Sequence, residues 1–249
     1  EKMTGDILKG QMIYEGKAKR LFAVQDQPNH ILQEFKDSLT AFNALKKGSF
    51  ENKGKLNRDI TSLVFRFLAK RGIESHRVAD IGDTEMLTEK LEMLKLEVVV
   101  RNVLAGSTAK KFAFEEGTPL EKPLVEFYYK DDALADPFIS DEQALMLKIV
   151  REQSELTELK SIALQVNDGL KEFFGAVGLT LIDFKIELGR TQAGKTVLAD
   201  EITPDSCRLW DKQTGERMDK DRFRRDLGQV KESYEEVARR LKERWEKNL

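Results

Sequence analysis

Cysteine, histidine and long apolar runs are what this sequence has least of, and each shortage removes a class of function. Cys207 is the sole cysteine, so neither an intramolecular disulfide framework nor a thiolate metal cluster can form. His30 and His76 are the only histidines, which excludes an imidazole-rich zinc site. Any bound metal should then be a hard cation held by carboxylates. No apolar run reaches the ~18 residues needed to cross a membrane, and the N-terminus has no secretory h-region. Charge of one sign is missing too. The 42 Lys and Arg residues against 44 Asp and Glu leave a formal net charge of -2, so any anion site must be local. The expectation is a soluble cytoplasmic protein with neither nucleic-acid nor membrane partners.

What is present suffices for a real core: 249 residues, 40% of them hydrophobic, fit one large or two small domains. Three short strands open the chain, around Met12–Tyr14, Arg20–Val24 and Ile31–Phe35, with breaks at Gly16 and Gln27-Pro28-Asn29. Ile60, Leu63, Val64, Phe67 and Leu68 recur at helical spacing and predict a helix over Asn57–Leu68. Strands are expected over His76–Ile81, Leu96–Val103 and Leu124–Tyr129. Ser107 is expected to open a short helix reaching Phe114. Ser140 and Gln143 have the spacing of a capping box, and a longer helix runs from about Ser154 to Phe174. Leu179–Leu188 and Thr196–Ile202 form a hairpin, and an amphipathic helix covers roughly Leu227–Glu246. The pattern implies an α+β fold of two subdomains with a cleft between them, divided near residues 85–95.

The hairpin carries the chemistry. Strand side chains alternate between faces, so Asp183, Lys185 and Glu187 share one face while Ile182, Phe184, Ile186 and Leu188 share the other. The returning strand, Leu198-Ala199-Asp200-Glu201-Ile202, brings Asp200 close to Lys185 or Glu187. Asp205 and Arg208 follow at its end. Oxygen ligands facing a lysine suit a magnesium ion that bridges nucleotide phosphates, because that ion takes few protein carboxylates and keeps several waters.

Two long segments, Leu181-Ile182-Asp183-Phe184-Lys185-Ile186-Glu187-Leu188-Gly189 and Glu97-Val98-Val99-Val100-Arg101-Asn102-Val103-Leu104-Ala105-Gly106-Ser107, resemble the two signatures of the SAICAR synthetase family. The resemblance runs from Tyr14-Glu15-Gly16-Lys17-Ala18-Lys19 to Met218-Asp219-Lys220-Asp221-Arg222-Phe223-Arg224, nearly the whole chain. Lys95 stands where the family usually has proline, and Leu188 where it has phenylalanine or isoleucine; both lie beside the charged positions.

The resemblance implies an ATP-dependent ligase of purine synthesis that joins L-aspartate to carboxyaminoimidazole ribonucleotide, with magnesium. It implies a strand-rich nucleotide-binding subdomain over 1–90, and metal and ribonucleotide sites over 91–249. Lys17, Ala18, Lys19, Lys90, Met93 and Glu97 are then the expected ATP contacts, and Glu187 and Asp200 the metal ligands. Arg101, Ser107, Lys185, Asp205, Arg208 and Arg224 are expected at the ribonucleotide, with Lys185 and Asp183 nearest the chemistry. The loops at Asp37–Asn43, with Lys53-Gly54, and at Tyr129-Lys130-Asp131-Asp132, with Asp136-Pro137, also match the family. A homodimer is implied, and the stripe of Tyr234, Val237 and Leu241 fits packing either on a partner or, as is more usual, on the chain's own core. Two other readings stay open: a small-molecule kinase on a related scaffold, and a nucleotide-binding regulatory module without turnover.

Overall fold

Short alternating segments separated by tight turns pair readily with their neighbours, and the first three strands do so. The structure, a computed structural model, describes residues 6–249. Strands β1 (Lys9–Glu15), β2 (Lys19–Val24) and β3 (His30–Phe35) form an antiparallel meander. A two-stranded hairpin follows, β4 (Ser38–Ala41) and β5 (Lys46–Ser49), then helix α1 (Lys53–Ala69). Strands β6 (Arg77–Ile81) and β7 (Glu85–Glu89) complete a five-stranded sheet of order β1-β2-β3-β7-β6.

Beyond Glu89 the chain builds a second sheet. Its elements are β8 (Glu92–Met93), β9 (Leu96–Val103), α2 (Gly106–Lys111), β10 (Pro119–Tyr129), β11 (Phe138–Ile139) and α3 (Asp141–Met146). Then come α4 (Gln153–Gly175), β12 (Leu179–Arg190), β13 (Thr196–Ala199), β14 (Cys207–Asp211), α5 (Asp221–Arg224) and α6 (Val230–Trp245). The long strand β12 is the organiser. Its first half pairs with β9 on one side and β14 on the other, and its second half with β13 and β8.

The two sheets share one main core, and the first sheet holds only a small cluster of its own around Val24, Leu32 and Leu87. Helix α1 leaves the first sheet and packs on α4 and α6, burying Ile60, Val64, Phe67 and Leu68 almost completely. Phe67 meets Phe173 and Trp245, and the last two rings stack at 5.6 Å between centroids. Burial of each such side chain contributes about 1.5–3 kcal/mol. Tyr234, Val237 and Leu241 of α6 face this core, so their stripe packs on the chain itself.

Several expectations need correction. Asp37–Asn43 is no simple polar loop: it enters the β4–β5 hairpin, whose turn places Phe42, Asn43 and Ala44 at positive φ. Ser107 does not cap α2, which starts at Gly106 behind Ala105 and has no side-chain cap. Asp183 and Glu187 are buried and only Lys185 of the three is exposed, because β12 is covered on both faces. The capping box of Ser140 and Gln143 is formed as expected.

Candidate active site

Strand β12 divides two cavities. The larger, about 430 Å³, lies between the sheets. The tight turn Gly16–Ala18 between β1 and β2 forms one wall, closed by the hydrogen bond from Gly16 N to Lys19 O at 2.8 Å. Met93, Leu94 and Glu97 form the opposite wall, and Lys185, Glu187 and Asp200 the floor. Lys17 and Lys19, two residues apart, diverge at this turn. The Lys17 ammonium reaches Asn43 Oδ1 at 3.4 Å, whereas Lys19 turns inward and pairs with Asp200 and, at 3.4 Å, with Glu201.

Pairing places Glu187 opposite Ala199, so Asp200 falls one residue beyond the end of β13, at a positive φ of 57°. There its carboxyl group lies against that of Glu187. Burial and the neighbouring Asp200 charge push the Glu187 carboxyl up, while Lys130, which pairs with it, works against the rise. Burial acts to raise Asp200, but Lys19, the Glu187 contact and Lys130 together outweigh it and hold that carboxyl well below the usual range. Two apposed carboxylates with lysines on either side form a hard-oxygen donor set. Among the described residues no group of three or more His, Cys, Asp or Glu side chains could hold a metal by itself. A cation here must therefore complete its shell with ligand oxygens and water.

The second cavity, about 140 Å³, lies toward β14 and is lined by Arg101, Asp183, Lys185, Asp205, Arg208 and Arg224, among others. Register explains the grouping: Asp183 of β12 sits opposite Arg101 of β9 and Arg208 of β14. Its Oδ2 accepts from Arg101 Nη1 at 3.2 Å and from Arg208 Nη1 at 2.9 Å. Asp221 accepts from Arg208 Nε at 2.9 Å and from Arg224 Nη1 at 2.7 Å, linking three guanidinium groups through two carboxylates. Asp183 thus orients arginines in the smaller cavity and does not line the larger one, where the Glu187–Asp200 pair lies.

Asp205 is held from behind by the buried Lys53, by the Tyr234 hydroxyl and by Asn57. Burial pushes the nearby Lys220 ammonium down to about 8 against the pull of Asp205, and Arg224, Lys185 and Lys53 add to the fall. This is a field with positive charge to spare, suited to a multiply charged anion.

Two expected residues lie outside both linings. Lys90 is exposed in the bend between β7 and β8, its backbone N–H donating to Asn29 O at 2.8 Å. Ser107 stands behind Arg101, whose Nη2 reaches its hydroxyl at 3.4 Å. Conversely, Gln33, His76, Lys130, Asp132 and Asp136 line the larger cavity. The loop after Tyr129 pointed to the last three; nothing local marks Gln33 or His76, which arrive from β3 and from the residue before β6. Burial, then the Lys19 charge, push the His76 imidazole down to about 4, so the ring is neutral.

Known proteins resemble this chain along most of its length. The SAICAR synthetase family model matches residues 12–241. The phosphoribosylaminoimidazole-succinocarboxamide synthase of Shouchella clausii is 52% identical, over 94% of this chain and 98% of its own. The crystal structure of the same enzyme from Ehrlichia chaffeensis superposes with a TM-score of 0.90 at 43% identity, covering 93% of this chain and 98% of that one. A SAICAR synthetase solved in complex with ADP gives a TM-score of 0.88 at 44% identity, covering 92% and 96%. A chain that matches from the first sheet to the last helix belongs to the SAICAR synthetase family, enzymes of purine biosynthesis, and the ligase reading stands over the kinase and the regulatory module.

Proposed function

We propose that this chain joins L-aspartate to the carboxylate of 5-amino-1-(5-phospho-D-ribosyl)imidazole-4-carboxylate, converting ATP to ADP and phosphate. The observation that carries the reading is the position of Lys185. It lines both cavities, so one ammonium group faces the place where the two ligands meet. Its Nζ lies 3.6 Å from Glu97 Oε1, a long contact on a half-exposed side chain that leaves it free to turn toward an anion.

In this assignment ATP occupies the larger cavity. Lys17, Ala18 and Lys19 flank its phosphates, and Met93 and Glu97 lie on the wall facing the base and sugar. Magnesium held by Glu187 and Asp200 supplies neutralisation of the polyphosphate charge. The ribonucleotide occupies the smaller cavity, where Arg101, Arg208 and Arg224 offer guanidinium forks to its phosphate and carboxylate. Its carboxylate oxygen attacks the γ-phosphorus and ADP leaves; the aspartate amine then attacks the acyl carbon, phosphate departs and the amine loses a proton. Phosphoryl transfer of this kind asks the protein mainly for alignment and charge balance, which Lys185 provides at the junction. Residues 1–90 supply the nucleotide-gripping sheet and 91–249 the metal and ribonucleotide sites. A homodimer, from the resemblance, and a cytoplasmic location, from the composition, complete the proposal.

Lys185→Met tests the assignment. The expected outcome is a fall in kcat of roughly 100-fold, the size seen when a transition-state charge partner is removed, with both nucleotide KM values changed much less. A variant that keeps its kcat would remove Lys185 from the junction.

A further inference from the structure

The smaller cavity contains one carboxylate whose orientation is set from outside the cavity. Asp205 stands in a tight turn, where its N–H donates to Thr203 Oγ1 at 3.1 Å and Ser206 N donates to Thr203 O at 2.9 Å. Its side chain is 10% exposed and lines the cavity. Three donors reach that side chain from α1 and α6, neither of which contributes a described residue to the lining. Lys53 and Asn57 stand one helical turn apart on α1 and share a face. Both address Oδ2, Lys53 Nζ at 2.5 Å and Asn57 Nδ2 at 3.3 Å. The Tyr234 hydroxyl of α6 donates to Oδ1. The Phe50 ring, edge-on at 5.4 Å between centroids, braces the phenol.

An ionised carboxylate offers about four lone-pair directions. Both on Oδ2 are filled and so is one on Oδ1, which leaves a single acceptor position. Charge fixes who donates. Burial acts to raise the Asp205 carboxyl, but Lys53, Lys220 and the Tyr234 bond outweigh it and hold the group well below the usual carboxylate range. Burial, then the Asp205 charge, push the Tyr234 phenol up, so it keeps the proton it donates. Lys53 and Tyr234 are 1% and 0% exposed, so neither touches a ligand and both act through Asp205. Packing alone would explain the Tyr234 ring but not its hydroxyl, since phenylalanine fills nearly the same space.

We propose that Tyr234 and Lys53, with Asn57, are positioning residues for the ribonucleotide: they fix the Asp205 carboxylate so that its one free lone pair, on Oδ1, meets a single N–H or O–H donor of that substrate. The inference rests on the reading of the smaller cavity as the ribonucleotide site, and the following experiment separates the two.

Steady-state kinetics on the intact enzyme compare the wild type, Tyr234→Phe, Asp205→Asn and the double variant. Turnover by the wild type, and a ribonucleotide KM raised by Asp205→Asn, test the parent reading by themselves. Tyr234→Phe keeps the ring and removes the donor, so the carboxylate can turn away from its substrate. It should raise the ribonucleotide KM roughly tenfold, the worth of one hydrogen bond to a charged group, with the ATP KM changed less than about twofold. In the Asp205→Asn background the same substitution should add less than about twofold, because the oriented acceptor is already lost. An unchanged ribonucleotide KM in Tyr234→Phe, beside a raised one in Asp205→Asn, would overturn the inference and leave the parent reading standing. Equal rises in both nucleotide KM values, or the full tenfold effect persisting in the Asp205→Asn background, would also overturn it by showing a packing role. Asp205→Asn with no effect on the ribonucleotide KM would remove Asp205 from the substrate site and the inference with it.

Discussion

At the scale of single residues, the site is governed by charges that lack an obvious escape to water. Glu187, buried, and Asp200, half-buried, lean on each other at the cavity floor, and each is partnered by a lysine from a different part of the chain, Lys130 and Lys19. If this pair holds the metal, Glu187→Gln should cut turnover by about 100-fold while ribonucleotide affinity, followed by calorimetric titration, changes less than about threefold. Comparable losses in both would argue against the metal role. His76 gives a second prediction, on stability. Its folded pKa of about 4 lies below the ordinary 6.5, so between those values the unfolded chain binds a proton that the folded chain does not. Stability should be fully present above pH 6.5 and fall as pH drops toward 4, by on the order of 3 kcal/mol. In His76→Gln that part of the slope should be missing from urea unfolding curves measured across this range; an unaltered slope would contradict the buried neutral ring. The charged residues of the site were legible in the sequence because strand alternation around Asp183, Lys185 and Glu187 marks them. Gln33 and His76 were not, since a lone polar residue shows its role only when a distant wall is placed opposite.

Among the elements, β12 does most to assemble the site. One strand with four partners sets Asp183 between two arginines and places Glu187 beside the exit of β13. The turn before α2 adds a backbone constraint. Gly106 has φ 59°, and a Cβ built there would lie 2.5 Å from Arg208 Nη2 and 2.8 Å from its Cζ. Gly106→Ala therefore strains the left-handed backbone and displaces the guanidinium. The ribonucleotide KM should rise roughly tenfold or more with the ATP KM little changed; a stability loss with both KM values intact would show that Arg208 is not displaced from a working position. Elements with strong local signals were legible: valine-dense β9 has the expected bounds Leu96–Val103, and the box at Ser140 opens α3. The β4–β5 hairpin was hidden because Phe42, Asn43 and Ala44 take up the left-handed turn conformation without the glycine that advertises it. Strand β14 was hidden for a different reason: its pairing with β12 is a long-range contact that no local pattern announces.

For the whole molecule, the division into two sheets near residue 90 does not divide the core. Helix α1 belongs by sequence to the first sheet and by packing to α4 and α6, so the two walls of the larger cavity are braced against one hydrophobic mass. Hydrophobic periodicity foretold that α1 exists, but not which sheet it would serve, because an apolar stripe records that a face is buried and not against what. The same architecture sets the larger cavity against the smaller with Lys185 between them, and the central claim is that chemistry passes through that junction from one ligand to the other. The direct test is release of ADP and inorganic phosphate from ATP and magnesium with the carboxyaminoimidazole ribonucleotide, in the presence and absence of L-aspartate. Sustained release of both in equal amounts, only when ribonucleotide and aspartate are present and with the succinocarboxamide formed, is the predicted result. ADP release without aspartate that leaves a stable phosphorylated ribonucleotide, or tight ATP binding with no turnover at all, would contradict it.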